Sequence, residues 1–142
     1  MTIATILNQK GRAVFKAEPD TTLMNAVKLL RDNGVGAILI AKEDTLCGIL
    51  SERDIVRALS HHGGSALLRP ASEFMTSDVI SCSEEETIAS VMSRMTTGRF
   101  RHMPVLNGDK IAGLVSIGDV VKFRIEETER EAEDMRAYIA AG

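Results

Sequence analysis

Apolar and polar positions follow two rhythms along this chain, and the order of the rhythms repeats. Ala13-Val14-Phe15-Lys16 reads as a short extended segment. Pro19 to Thr22 is a turn that supplies an N-cap. From Leu23 to Asp32 the apolar residues Leu23, Ala26, Val27 and Leu30 share one face of a predicted helix, which Asn33-Gly34 ends. Val35 to Ile40 is an unbroken apolar run, the mark of a buried strand. Lys42 to Thr45 is a hairpin turn and Leu46 to Leu50 its second strand. Ser51 caps a further helix, predicted to reach Ser60 with Ile55, Val56 and Leu59 facing inward.

The same order then returns. Val79-Ile80-Ser81 is the predicted strand, and Thr87 to Thr97 the amphipathic helix, broken at Gly98. Phe100 to Leu106 and Ile111 to Val115 form a hairpin around Asn107-Gly108-Asp109, and Asn-Gly is the strongest short turn signal. Ser116 opens the last helix. The offset is 65 residues throughout, so Gly48, Ser51 and Asp54 fall on Gly113, Ser116 and Asp119. Seven of 45 aligned positions are identical (13–57 against 78–122), and Leu23, Ala26, Val27 and Leu30 fall on Ile88, Val91, Met92 and Met95. Two copies of one unit, each too small to bury its apolar faces well, should pack about a pseudo-twofold axis with a ligand cleft between them.

Composition narrows the function classes. With 142 residues, 44% apolar and 26% charged, the chain is globular. A net charge of −3, and a single Tyr with no Trp, give neither a footprint for duplex nucleic acid nor much of a stacking platform for single strands. No apolar run approaches a membrane span and the N-terminus carries no clear signal peptide, so a cytoplasmic protein is expected. Cys47 and Cys82 read as small, buried residues rather than redox or metal groups. His61 and His62 sit in a polar linker without a spaced partner, so no metal is expected. Glu126 to Asp134 is charge-dense and extends the last helix, and Met135, Tyr138 and Ile139 follow at helical spacing, where they are able to dock on a second subunit.

The repeated Gly-x-x-Ser-x-x-Asp element carries chemistry. Glycine allows close backbone approach at a strand end. The serine opens a helix, where free N–H groups and the dipole favour an anion. The aspartate, one turn in, can accept hydrogen bonds from vicinal ribose hydroxyls. The plainer reading is that Ser51 and Ser116 only cap helices, with Asp54 and Asp119 at N3. The occurrence of two copies favours a site for a sugar with a phosphate beside it. There is no dinucleotide fingerprint, P-loop or nucleophile elbow.

These elements, the hairpin before each, and Arg99 to Leu106 (Arg-Phe-Arg-His-Met-Pro-Val-Leu) resemble the cystathionine-β-synthase (CBS) domain pair, or Bateman module. The resemblance spans roughly residues 6–125. Gly48 to Asp54 and Arg101 to Asp119 are similar in particular to small bacterial CBS-pair proteins associated with AMP and NAD. It implies an α+β fold of two pseudo-twofold βαββα repeats: a first CBS domain over 6–62, a linker over 63–72, a second CBS domain over 73–125 and a C-terminal helical extension over 126–142. It also implies an adenine-nucleotide ligand, AMP, ATP or NAD(H), and a homodimer.

By that resemblance Asp54 and Asp119 hold ribose hydroxyls. Ser51, Ser116, Arg101, His102 and Arg53 meet phosphate. Val14, Ile38, Ile80, Met103 and Pro104 line the adenine, with Val14 and Ile38 in one cleft and Ile80 and Met103 in the other. The two clefts are not expected to be equivalent, because Arg99, Arg101 and His102 replace Gly34, Gly36 and Ala37. Conversely Arg53 stands where the second repeat has Gly118, and Arg57 faces Lys122. The leading expectation is a regulatory nucleotide sensor without catalysis of its own, acting through a partner protein or its own assembly. The alternatives are a ligand-free dimerisation module and an enzyme that uses NAD or another nucleotide.

Overall fold

Four side-chain caps start four of the five helices. Thr22, Ser51, Thr87 and Ser116 each accept from the backbone N–H three residues on, those of Asn25, Asp54, Ser90 and Asp119. A cap of this kind is worth about 1 kcal/mol. The computed structural model describes residues 1–142. It runs α1 (Ile3–Lys10), β1 (Lys16–Ala17), α2 (Leu23–Asn33), β2 (Ala37–Lys42), β3 (Thr45–Ser51), α3 (Glu52–His62), α4 (Ile88–Gly98), β4 (His102–Asn107), β5 (Lys110–Ser116) and α5 (Ile117–Ala141), with two 3₁₀ turns, Gly63–Leu68 and Ala71–Glu73, between the repeats.

The repeat in sequence is a repeat in space. The β2–β3 hairpin pairs Ala37 with Ser51 and Ile38 with Leu50, and β4–β5 pairs His102 with Ser116 and Met103 with Val115. Both are irregular at the equivalent step, between Ile40 and Ala41 and between Val105 and Leu106. Entry strand β1 runs parallel to β2, pairing Lys16 with Leu39. The expected strand over Val79 to Ser81 does not form. Its place is taken by one parallel bridge between Cys82 and Val105. The first strand is likewise displaced, to Lys16–Ala17 rather than Ala13 to Lys16.

Each lobe has its own core. Leu23, Ala26, Leu30, Ile38, Ile40, Leu50, Ile55 and Ala58 fill the first, and Ile88, Val91, Met95, Met103, Val105, Val115, Val120 and Phe123 the second. The segments that precede the repeats cross over. Helix α1, which the sequence pattern did not reveal, buries Ile3, Ile6 and Leu7 in the second lobe. Burying such a side chain is worth roughly 1.5–3 kcal/mol. Ala66 and Ala71 join the first core, with Leu67, Phe74 and Met75 packed against it. Residues 6–10, read from sequence as part of the first domain, are therefore built into the second lobe, and Phe74 and Met75 lean on the first. The linker is a packed element of the first lobe rather than a spacer, because its alanines and Leu67 are apolar groups with a core within reach.

The exchange places two glycines under crossing chain. A Cβ on Gly48 would lie 2.6 Å from Met75 Sδ and 2.8 Å from the Thr76 carbonyl oxygen. On Gly113 it would lie 2.7 Å from Leu7 Cδ2. No helix is long and apolar enough to cross a membrane.

Candidate functional site

Residue Asp54 sits at the third position of α3, and only 6% of its surface is exposed. Its Oδ2 accepts the Ser51 backbone N–H at 2.9 Å and the Ser51 hydroxyl at 3.1 Å. Its Oδ1 accepts the Thr76 hydroxyl at 3.3 Å, with Arg57 Nη1 at 3.9 Å. The capping reading of Ser51 and Asp54 is thus realised. A carboxylate has about four lone-pair directions, so the cap does not exhaust it. The Thr76 hydroxyl marks the side on which Oδ1 takes hydroxyl donors.

A cleft of about 560 Å³ opens at this carboxylate. Ser51, Glu52, Arg53, Asp54 and Arg57 line it from the first lobe, and Val79, Ile80, Arg99, Phe100, Arg101 and His102 from the second. The basic residues of the second repeat therefore line the same cleft as the aspartate of the first. Arg53 Nη1 donates to the Arg99 carbonyl at 3.3 Å, and His102 Cε1 lies 3.5 Å from where a Cβ on Gly36 would stand. Burial lowers the His102 pKa below its ordinary value, and Lys10 and Arg101 add to this against the opposing pull of Glu52 and Asp119. Ile80, 48% exposed, and Val56 leave apolar wall uncovered in the cleft.

Arg99 has φ 56° and ψ 39°, the left-handed conformation that Gly34 adopts at the equivalent end of α2. A non-glycine residue there is strained by roughly 1–2 kcal/mol. Such strain collects at ligand sites, and Arg99 is one of the residues that line the cleft. Neither Arg99 nor Arg101 enters an ion pair, although the cleft lining also carries the acids Glu52, Asp54 and Asp78.

The equivalent carboxylate, Asp119, lies apart from this cleft. Its Oδ2 accepts the Ser116 N–H at 2.9 Å and the Lys10 ammonium at 2.6 Å, and Lys10 also donates to the Leu114 carbonyl. Burial pushes the Asp119 carboxyl up, but the bonds from Lys10 and Ser116 outweigh it and hold the pKa below its usual value.

Of the residues expected to form a site, the structure gathers Ser51, Arg53, Asp54, Ile80, Arg101 and His102 in one cleft. Ser116 and Asp119 stand at the other position. Ile38 and Met103 are fully buried, in the first and second cores, and neither is among the residues that line this cleft. Pro104 is buried in β4, opposite Leu114, and Val14 lies outside the cleft. The strands that carry Ile38, Met103 and Pro104 are covered on both faces, so side chains alternating in direction still meet protein. The sequence reading named Arg99 and Arg57 only as charges that make the clefts unequal, without a role in the site, and did not assign Thr76 or Phe100 at all. Arg99 left a further signal, as a non-glycine at the helix-ending position that Gly34 fills in the first copy. Cys82, buried beside Glu86, has its thiol pushed up to about 12, which keeps it protonated and inert.

The CBS domain model matches residues 11–61 and 71–126, and the chain belongs to that family. It is 32% identical to the mitochondrial CBS domain-containing protein CBSX3 of Arabidopsis thaliana, over 99% of this chain and 73% of that one. Among solved structures, the CBS-domain-containing protein ATU1752 of Agrobacterium tumefaciens superposes with a TM-score of 0.84 at 37% identity, covering 87% of this chain and 99% of that one. Two more distant pairs, each 23% identical, share the fold. They are protein MJ0100, solved with 5′-methylthioadenosine and S-adenosyl-L-methionine (TM-score 0.79, covering 89% and 98%), and PAE2072 of Pyrobaculum aerophilum, solved with AMP (TM-score 0.75, covering 84% and 89%).

Proposed function

We propose that the Asp54 cleft binds an adenine nucleotide, AMP, ATP or NAD(H), and that the chain is a regulatory module rather than an enzyme. The observation that carries this is the meeting, across the two lobes, of a buried carboxylate with Arg53, Arg99, Arg101 and His102 in one cleft. Its volume of about 560 Å³ suits a mononucleotide. In this reading Asp54 accepts the ribose hydroxyls. Ser51, Arg53, Arg101 and His102 hold the phosphate at the start of α3, where the helix dipole favours an anion. Ile80 and Val56 give the adenine an apolar wall. The AMP complex of PAE2072 and the adenosyl ligands of MJ0100 support the ligand class.

Because the cleft takes side chains from both lobes, a bound nucleotide favours the lobe arrangement that closes on it. Regulation follows when that arrangement differs in its affinity for a partner protein or for a second copy in a homodimer. Cys47 and Cys82 are unpaired, in keeping with the reducing cytoplasm in which we place this role.

Thermal denaturation against AMP, ADP, ATP, NAD⁺, NADH and S-adenosylmethionine tests the proposal. A ligand bound only to the folded state stabilises it by about 2.7 kcal/mol at a hundredfold excess over Kd. A selective rise in Tm, lost in Asp54→Asn, supports the reading. No rise with any of them, in protein freed of co-purified nucleotide, leaves the ligand-free dimerisation module in its place.

A further inference from the structure

Beyond residue 127 the last helix packs against nothing. From Thr128 to Ala141 every residue of α5 is exposed except Ala132, which is half-buried. That is roughly 20 Å of helix at 1.5 Å per residue. An isolated helix of this length is marginal in water, so a helix here needs a partner for one face. Val120 and Phe123 are already buried in the second lobe. A different stripe is left open: Val121, Ile125, Thr128, Ala132, Met135 and Ile139, spaced alternately by four and three residues. This is a heptad seam, with Ile125, Ala132 and Ile139 at a and Val121, Thr128 and Met135 at d. The small Thr128 and Ala132 sit in a shallow groove of about 360 Å³ flanked by Arg124, Glu129 and Arg136.

We infer that this seam is a docking surface for a second copy of the chain, and that the two α5 helices associate as a parallel two-stranded coiled coil. The charges beside the seam choose the occupant and its direction. In the parallel register, Arg124 at g faces Glu129 of the partner subunit at e, and Glu131 at g faces Arg136 of the partner subunit, so both pairings attract. An antiparallel copy that pairs the whole seam sets Glu129 near its own equivalent and Glu131 near its own, which repel. The excess acids, Glu126, Glu127, Glu133 and Asp134, fall at b and c, away from the axis. Ala132 at a and Thr128 at d make the association weak. The surface is independent of the nucleotide cleft.

Sedimentation equilibrium of the full chain over a concentration series tests this. The expected result is a monomer–dimer equilibrium that Ile139→Asp weakens at least tenfold and Ala132→Ile tightens at least tenfold. Ile139 is far from both cores, so its substitution does not unfold the lobes, and Ala132→Ile is a gain that misfolding cannot mimic. In a Cys47→Ser background, Met135→Cys forms a disulfide with its own copy on oxidation, since an antiparallel pair would place residue 135 beside 125. A monomer at every concentration, a dimer indifferent to both seam substitutions, or a dimer without that disulfide overturns the inference.

Discussion

The Lys10 ammonium lies 2.6 Å from Asp119 Oδ2, the oxygen that also takes the cap N–H, whereas at Asp54 the Thr76 hydroxyl meets the other oxygen, Oδ1. Lys10 comes from α1 and Thr76 from the segment before the second repeat, so each aspartate meets the chain that leads into the other repeat. An ammonium hydrogen-bonds one carboxylate directly, while the other takes a neutral hydroxyl, with the Arg57 guanidinium at 3.9 Å. The two positions are therefore chemically unlike although their capping geometry is the same.

The first prediction follows from that asymmetry. Titration calorimetry with the stabilising nucleotide should give one site per chain. Asp54→Asn should weaken it by about 1–3 kcal/mol, the cost of leaving hydroxyls without a charged acceptor. Asp119→Asn should leave the affinity within twofold. Asparagine retains the cap oxygen, so a loss of affinity at Asp54 is not a loss of α3. Equal effects at both positions would remove the assignment.

Acid stability should depend on the Lys10 contact. The folded-state pKa of Asp119 is depressed, so the contact contributes stability above the ordinary carboxylate pKa of 3.8 and loses it as pH falls through the lower folded value. For a partly exposed pair the contribution is about 1 kcal/mol or less. Lys10→Met should remove it at neutral pH and flatten the stability profile below pH 4, as read by urea unfolding across pH.

His102 acts in the next window up. Its folded-state pKa lies below 6.5, so the unfolded chain binds more protons just below that value. Stability should be full above pH 6.5 and fall on acidification through the folded pKa. His102→Gln should abolish this slope. Because a phosphate beside the ring would favour its charged form, nucleotide binding should take up protons just below pH 6.5, measurable as a buffer-dependent binding enthalpy.

Arg99→Gly should separate stability from binding. Relief of the left-handed backbone should raise stability by about 1 kcal/mol, while the lost guanidinium weakens nucleotide binding. Denaturant unfolding together with calorimetry would show both, and a loss of stability on this substitution would contradict the strain.

The two glycines of the repeated element should respond unequally. Gly48→Ala drives a Cβ against the Thr76 carbonyl, and Thr76 and Ile49 exchange two backbone hydrogen bonds of 2.9 Å there. Overpacking of this kind costs about 1–3 kcal/mol. Gly113→Ala meets the end of the Leu7 side chain, which can shift, and should cost less.

What the sequence by itself determined is everything local or repeated. The Thr22, Ser51, Thr87 and Ser116 caps, the two hairpins and the 3.6-residue apolar faces depend on neighbours a few residues apart, and the 65-residue offset carried them into a paired fold. The Ser51–Asp54 half of the site was legible for the same reason, since its geometry is one helical turn. Only the tertiary structure decided what lies across the axis: that α1 enters the second lobe, that Arg99, Arg101 and His102 line the cleft at Asp54, and that Lys10 takes Asp119. It also moved Ile38 and Met103 from the expected pocket into the cores. A strand's apolar run records that its side chains leave water, but whether they face a core or a ligand depends on which surface covers them, and here that surface is contributed by residues distant in the chain.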